Sequence, residues 1–434
     1  MPINRRQFIK RSAVAVSVSL VMPKLWTGQA SAQQINAADR KIFVVIQMAG
    51  GNDGLNTVIP YADAKYQQLR PTLGFKDTEL KDAAGNSTIL NSNLGLHPAL
   101  SEIKQLFDAN RVALVTGVGY PAPNLSHFLS QDIWQTANTN GGAGNGWLGK
   151  YADQKLVGQS SLAAVSVGGS LPKALFADHY VTPNISPAGG TDPFANYQYL
   201  TDPRNTGDKT NQLNAFKTTT TRSFEADSFL SALGKASFDA EEGAAQLRAA
   251  VAGYTSPVTY PTTGNQLASA MRMVAQIATT IADANLFYVQ LGGFDHHSAE
   301  IGSAQAPTDK TIGQHATLLG NLSKSIKAFY DDMAAHSLAD NVILMTWSEF
   351  GRRPNENASI GTDHGTASVQ MVVGNPIHGG IYGEQPSLSD LDSAGNIKFK
   401  VDFRSVYATI LDKWLGADSK AILGSQFANI GFLG

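Results

Sequence analysis

Residues 42–54 read Ile-Phe-Val-Val-Ile-Gln-Met-Ala-Gly-Gly-Asn-Asp-Gly, an apolar run that ends in a glycine-rich turn. The run is apolar almost throughout, which is typical of a strand in a parallel sheet with both faces covered. The glycines allow a sharp turn and a close approach to a ligand, and Asp53 places a carboxylate just beyond the strand. This stretch therefore predicts a buried parallel strand whose carboxyl end carries chemistry.

Other apolar runs also adjoin polar clusters. Runs at 112–118, 286–291 and 342–347 each lead into a cluster, and the run at 368–373 follows one. Segments with helical spacing separate these runs, at 97–109, 266–284, 311–336 and 403–415. Alternation of strand and helix predicts βαβ units and a mainly parallel α/β sheet. The loops at the carboxyl ends of such a sheet converge on one crevice, so the clusters are expected to meet there.

Asp295, His296 and His297 form the clearest cluster of possible metal ligands. A carboxylate and two imidazoles suit zinc, manganese or iron. In an extended loop Asp295 and His297 project to the same side because they are two positions apart. Asp53 is a further candidate for a hard cation, although an Asn-Asp-Gly sequence also suits a simple turn.

Two later clusters add candidates of both kinds. Glu349 is a candidate metal ligand or a partner for Arg352, and Arg352 is a candidate for holding a phosphate or sulfate by paired hydrogen bonds. His364 is expected to bind the metal, with Asp363 supporting it by a hydrogen bond, unless the two merely form a turn.

Ser126 and His127 stand where a helix is predicted to begin. Ser126 is interpreted either as the residue that caps this helix or as a nucleophile activated by a neighbouring metal ion. His127 is a candidate metal ligand or a donor to an anionic substrate.

The first 32 residues have the form of an export signal. Asn4-Arg5-Arg6-Gln7-Phe8 is a twin-arginine pattern, a short apolar stretch follows, and Ala30-Ser31-Ala32 ends it. The apolar stretch is about half of the ~20 residues that a spanning helix needs, so a cleaved signal is favoured over a membrane anchor. We expect export through the twin-arginine machinery to the periplasm or the medium, and no stable membrane span.

Composition excludes several classes of protein. The chain has no cysteine, so disulfides and thiolate metal sites are excluded. Its 35 acidic residues exceed its 33 basic ones, and five of the basic residues lie in the leader, which argues against a nucleic-acid partner. A turn-rich stretch at about 182–263 interrupts the strand–helix alternation and is expected to form a cap-like, helical or loop-rich insertion in the single domain at 33–434.

Five motifs in order carry a resemblance to a known family. They are Gly-Gly-Asn-Asp-Gly at 50–54, Ser-His-Phe at 126–128, Gly-Gly-Phe-Asp-His-His at 292–297, Ser-Glu-Phe-Gly-Arg at 348–352 and Thr-Asp-His-Gly at 362–365. With the leader, they resemble the DUF1501 family of exported bacterial proteins over essentially the whole mature chain. That family is similar to the alkaline phosphatase and sulfatase superfamily.

The resemblance implies a doubly wound, alkaline phosphatase-like fold with one or two divalent metals (zinc, manganese, magnesium or calcium) beside a nucleophile. It places Asp53, Asp295 with His297 or His296, and His364 as ligands, and Ser126 as the nucleophile. Ser348-Glu349 departs from the Asp-His pair of alkaline phosphatases, and the cysteine of sulfatases is missing.

We therefore expect a metal-dependent hydrolase of phosphate or sulfate esters, on a small-molecule or polysaccharide substrate, with Ser126 or a water as nucleophile. The alternative is a non-catalytic exported protein that contains the metal and binds a partner. A redox protein is disfavoured by the absence of cysteine and of a dinucleotide-binding pattern.

Overall fold

The computed structural model describes residues 40–185, 245–302 and 309–434, together with Thr218 and Gly243. The predicted leader and most of the predicted insertion lie outside the described residues. Within these ranges, no helix combines the length and the apolar character needed to cross a membrane.

A large mixed sheet forms the centre of the protein. The strands are β1 (Ile42–Ala49), β2 (Val58–Ile59), β3 (Gly95–Leu96), β4 (Val112–Gly119), β5 (Ala164–Val167), β6 (Asn184–Ile185), β7 (Leu286–Gly292), β8 (Val342–Trp347), β9 (Ser368–Val373), β10 (Gly380–Tyr382) and β11 (Val401–Asp402). The order in the large sheet is β10–β4–β9–β8–β1–β7–β5–β6, with β11 also paired to β4, while β2 and β3 form a separate pair. The strand β1 thus lies in the interior of the sheet, between β8 and β7, as its apolar character predicts.

The helices lie between these strands along the chain. They are α1 (Ala64–Leu69), α2 (Ser101–Asp108), α3 (His127–Thr136), α4 (Trp147–Lys155), α5 (Gln266–Thr280), α6 (Gln314–Ala335), α7 (Phe403–Lys413) and α8 (Ser419–Leu423). The predicted helix at 97–109 is divided, because Pro98 begins a short 3-10 turn and α2 follows it.

The two faces of the sheet carry separate apolar cores. Alternate side chains of β1 point to opposite faces, so Val44 and Ile46 join a core with α2, α5 and α6. Phe43 and Val45 join a second core with α3, α4 and α7. Each fully buried Val, Ile or Phe contributes about 1.5–3 kcal/mol. Helical cover on both faces confirms the predicted doubly wound α/β class.

The direction of β9 differs from that of the other strands in the large sheet. It is antiparallel to both β4 and β8, whereas β1, β5 and β7 pair in parallel with their neighbours. An antiparallel strand begins at the edge where its parallel neighbours end. The loop that precedes β9 therefore lies beside the loops that follow β1, β7 and β8.

Candidate metal centre

Arg352 links three of these loops by hydrogen bonds. Its Nε donates to the carbonyl of Gly51 at 2.6 Å, its Nη1 to that of Thr362 at 2.7 Å, and its Nη2 to those of Gly50 and Phe294. The side chain is fully buried. Because these carbonyls belong to the loops after β1 and β7 and the loop before β9, one guanidinium sets the distances between them.

Asp295 is the centre of the polar cluster that results. Its Oδ1 accepts a hydrogen bond from Arg352 Nη2 at 2.7 Å, and 45% of its side chain is exposed. Partial burial acts to raise the pKa of Asp295, but the hydrogen bonds from Arg352 and His364 outweigh it and lower the pKa to about 2. Asp295 is therefore an anion at neutral pH and is open to solvent.

Three imidazoles converge on this carboxylate through the same ring atom. Nε2 of His127 lies 3.4 Å from Oδ2, and Nε2 of His297 and of His364 each lie 3.1 Å from Oδ1. One ligand atom from each of His127, Asp295 and His364 falls within a set whose members are all within 4.8 Å of one another. This geometry and these atom types could hold a metal ion.

The other nitrogen of each ring has a separate partner. Nδ1 of His127 lies 2.8 Å from Glu349 Oε1, Nδ1 of His297 lies 3.2 Å from Asp363 Oδ1, and Nδ1 of His364 lies 2.8 Å from the Leu125 carbonyl. Metal-binding histidines are normally oriented in this way, by a carboxylate or carbonyl on the far side of the ring. The Nε2 atoms of all three rings face Asp295, and those of His297 and His364 lie 2.9 Å apart. The group of His127, Asp295 and His364 fits a metal ion.

Glu349 lies beneath the cluster with its side chain fully buried. Its Oε1 also accepts hydrogen bonds from the Gly50 N–H at 2.9 Å and from Gln131 at 3.1 Å. Burial acts to raise the pKa of Glu349, but these bonds and the one to His127 outweigh it and hold the pKa below its ordinary value. The hydrogen bond to Glu349 in turn raises the pKa of His127.

Ser126 is the residue immediately before α3, as the sequence predicts, but its hydroxyl does not cap the helix. Its backbone N–H donates to Asn124 Oδ1 at 2.8 Å, and the residue is exposed. It stands between the Leu125 carbonyl, which is bonded to His364, and His127. Ser126 therefore adjoins the cluster along the chain, and its hydroxyl has no hydrogen-bond partner in the part of the chain that the structure describes.

Two candidates from the sequence are placed elsewhere. Both oxygens of Asp53 are bonded to Arg70, and the two side chains are 2% and 0% exposed. His296 is 2% exposed and lies outside the group that surrounds Asp295. The structure does bring together His127, Asp295, His297, Glu349, Arg352, Asp363 and His364. Arg70 was not a candidate, because a single arginine in a loop follows no periodic pattern.

Comparison with known proteins now gives the family. The model of the family described as "Protein of unknown function (DUF1501)" matches residues 40–427. The chain belongs to the DUF1501 family. The family predicted from the five motifs is thereby confirmed. A comparison with curated proteins finds no match.

Solved structures of low sequence identity are also similar to the DUF1501 chain. A protein in the alkaline phosphatase superfamily from Vibrio parahaemolyticus is 8% identical over 79% of this chain and 62% of its own, with a TM-score of 0.34. The zinc complex of the C-terminal periplasmic domain of EcEptC from Escherichia coli is 8% identical over 78% and 74%, with a TM-score of 0.34. The PsFucS1 sulfatase from Pseudoalteromonas sp. is 11% identical over 92% and 73%, with a TM-score of 0.37.

Proposed function

We propose that this DUF1501 protein is a metal-dependent hydrolase of phosphate or sulfate esters. The observation that supports it best is the set of three Nε2 atoms gathered around the exposed carboxylate of Asp295, each ring being fixed through Nδ1. Such oriented ligands beside open solvent suit a catalytic ion, because a catalytic site keeps a position for water or substrate.

In this proposal His127, Asp295, His297 and His364 hold one divalent ion. The ion would polarise the ester oxygen and lower the pKa of a bound hydroxyl or water. Burial lowers the pKa of His364, so its ring is neutral at pH 7 and its lone pair is available to the ion. Zinc and manganese fit this mixture of imidazole and carboxylate better than calcium does.

The remaining residues position these ligands or the nucleophile. Glu349 holds the His127 ring and Asp363 holds the His297 ring. Arg352 is fully buried and bonded to protein oxygens, so it fixes Asp295 and the loops rather than the ester. Ser126, exposed next to His127, is the candidate nucleophile, and a water molecule is the alternative.

The test combines metal content with turnover. Protein freed of metal and reloaded with Zn²⁺ or Mn²⁺ is assayed on a panel of nitrophenyl phosphate and sulfate esters. His364→Ala and Asp295→Asn are each expected to lose the ion and at least 10²-fold of the turnover. His179→Ala, which changes an exposed histidine outside the cluster, is the matched control and should retain both.

Two outcomes contradict the proposal in different ways. If both His364→Ala and Asp295→Asn retain the metal and the turnover, these residues do not form the metal site. An intact metal content with no turnover on the whole panel would favour the non-catalytic binding protein. Ser126→Ala then distinguishes the nucleophiles: a retained ion with lost turnover indicates the serine, and retained turnover indicates water.

We also propose that the protein reaches the periplasm or the medium through the twin-arginine machinery. Support comes from the pattern around Arg5 and Arg6 and the short apolar stretch after it. Replacing both arginines by lysine should leave the uncleaved protein in the cytoplasm on cell fractionation. Normal export of this double variant would contradict the route.

A further inference from the structure

A polar cavity of about 270 Å³ lies beside α5. The segment 254–262, which leads towards α5, forms most of its wall and has no regular secondary structure. A volume of this size has room for roughly nine water molecules, each of which takes ~30 Å³ in the liquid. The residues that line the cavity are Tyr254, Ser256, Val258, Thr259, Tyr260, Thr262 and Arg272.

The carboxylate of Asp332 lies behind this wall. It accepts hydrogen bonds from the hydroxyls of Tyr254 and Ser256, each at 2.5 Å, and from the hydroxyl of Tyr260 at 2.8 Å. The side chain of Asp332 is fully buried. Burial of a carboxylate costs free energy unless hydrogen bonds satisfy it, and here three of those bonds come from the segment 254–262. Asp332 therefore fixes the shape of a segment that belongs to no helix or strand.

His336, which directly follows α6, supports the same segment. Its Nε2 lies 2.9 Å from the carbonyl oxygen of Thr255, and its ring stacks on that of Tyr254 with the ring centroids 5.9 Å apart. A wall that is already fixed loses little conformational freedom when a ligand binds, which favours binding. The cavity is thus preformed.

The cavity offers both hydrogen-bond acceptors and donors. Burial, and then the interaction with Asp332, raise the pKa of Tyr254 and of Tyr260 well above the ordinary value. Each phenol is therefore neutral and donates its proton to Asp332, so its oxygen keeps a lone pair for another donor. The guanidinium of Arg272 is exposed and has no hydrogen bond or ion pair with any residue that the structure describes.

We propose that this cavity binds one acidic sugar unit of a saccharide, with a carboxylate or sulfate substituent. Sugar hydroxyls both donate and accept, so they match the tyrosine oxygens and the hydroxyls of Thr259 and Thr262. The acidic substituent pairs with the guanidinium of Arg272, whose planar donors suit a carboxylate or sulfate. A sulfate or phosphate ion alone would leave much of the volume unfilled.

The cavity is far from the candidate metal centre. Asp332 lies about 25 Å further along α6 than His315, at roughly 1.5 Å per residue. The ring of His315 is in turn 5.6 Å from that of His296, the neighbour of His297. A sugar bound here is not the group that reacts at the ion, so this inference goes beyond the proposed hydrolase and does not depend on it.

Ligand-observed NMR titration of the purified protein tests the site. The probes are methyl glucuronide and glucose 6-sulfate as acidic sugars, methyl glucoside as the neutral sugar, and inorganic sulfate. An acidic sugar is expected to bind at least 10-fold more tightly than methyl glucoside or sulfate. Arg272→Gln should weaken the acidic sugar at least 10-fold and leave methyl glucoside unchanged. Lys420→Gln, which removes a charge from an exposed side chain outside the cavity, is the matched control.

The results separate this inference from the proposed hydrolase. No binding of either acidic sugar, or equal binding by the wild type and Arg272→Gln, would overturn the site. Sulfate binding as tight as that of the acidic sugars would overturn the saccharide in favour of a small anion. Binding that His364→Ala loses and Arg272→Gln keeps would place the sugar at the metal centre and overturn the inference. Binding that survives chelation and His364→Ala but not Arg272→Gln supports the cavity, whether or not the protein hydrolyses esters.

Discussion

Asp295 is the carboxylate around which the candidate site is arranged. It accepts a hydrogen bond from Arg352 and lies within 3.4 Å of three imidazole nitrogens. The side chain of Arg352 is fixed in position, because its other N–H groups donate to backbone carbonyls. The carboxylate is therefore held in place by a buried guanidinium and faces three imidazole nitrogens.

Glu349→Gln tests the orienting role of a residue that would not touch the ion. The amide keeps the size of the side chain but removes the charge that fixes the Nδ1 proton of His127. Metal affinity at the centre around Asp295 should fall roughly 10- to 100-fold, as is usual when the hydrogen-bond partner of a ligand histidine is changed. Competition with a chromophoric chelator measures this. Glu384→Gln, at an exposed carboxylate, is the control, and equal affinities in the two variants would contradict the role.

Glu300→Gln should change how the stability of the metal-free protein depends on pH. The folded-state pKa of Glu300 is raised above its ordinary value of 4.5 by burial and by Asp53. Stability from its protonated form is therefore complete below pH 4.5 and is lost as pH rises towards the folded-state pKa. The uncharged glutamine avoids this loss, so Glu300→Gln should unfold at higher urea than the wild type at pH 8. The difference should shrink at pH 4, and an equal difference at both values would contradict the assignment.

The reversed direction of β9 explains why the motif at 362–365 lies beside the motifs that follow the other strands. Every other motif follows a parallel strand, whereas this one precedes its strand. Because β9 is antiparallel to β4 and β8, its amino-terminal end lies at their carboxyl ends. His364 is thus delivered to Asp295 from the opposite direction of the chain, and Arg352 and His364 pair in a short antiparallel bridge.

The loops after β1 and β7 are in close contact at Gly50. Gly50 has a φ of +123°, and a Cβ atom there would lie 2.5 Å from the Asp295 nitrogen and 2.8 Å from Phe294 backbone atoms. Gly50→Ala must therefore displace the loop that carries Asp295. It should lower the free energy of unfolding by more than about 1 kcal/mol and weaken metal binding.

Gly292→Ala is the control for this change, because a Cβ atom on Gly292 meets nothing within 4 Å and its φ lies outside the left-handed region. Urea unfolding of Gly292→Ala should stay within about 0.5 kcal/mol of the wild type, with unchanged metal affinity. Equal effects of the two alanines would show that the contact at Gly50 does not position Asp295.

Much of the sheet could be predicted because buried strands leave a strong apolar pattern in the sequence. The runs at 342–347 and 368–373 coincide with β8 and β9, and Ile42–Ala49 is the central strand. The orientation of β9 could not be predicted, since it depends on contacts with two distant strands. Short strands such as β6 and β10 were also missed, because two or three residues show no period.

The cluster around Asp295 could be predicted because the loops at the carboxyl ends of parallel strands converge. The sequence pattern could not show which histidines are buried and which are exposed. His296 and His297 are adjacent in sequence, yet one is buried beside His315 and the other is exposed beside His364. Asp53 was expected at the cation, but the sequence gives no sign that Arg70, 17 residues later, engages both of its oxygens. Ion pairs across loops depend on tertiary packing.

Removal of metal should leave the fold of the protein intact. The two apolar cores hold the sheet without any ion, so the chelated protein should keep its far-ultraviolet circular dichroism. A ligand that binds only the folded state at 100 times its Kd adds about 2.7 kcal/mol to stability. Zinc should therefore raise the melting temperature of the metal-free protein by several degrees. His364→Ala should show a smaller rise because the candidate centre then lacks one ligand. Unfolding on chelation, or a melting temperature that zinc does not change, would contradict this view of the ions as additions to a complete fold.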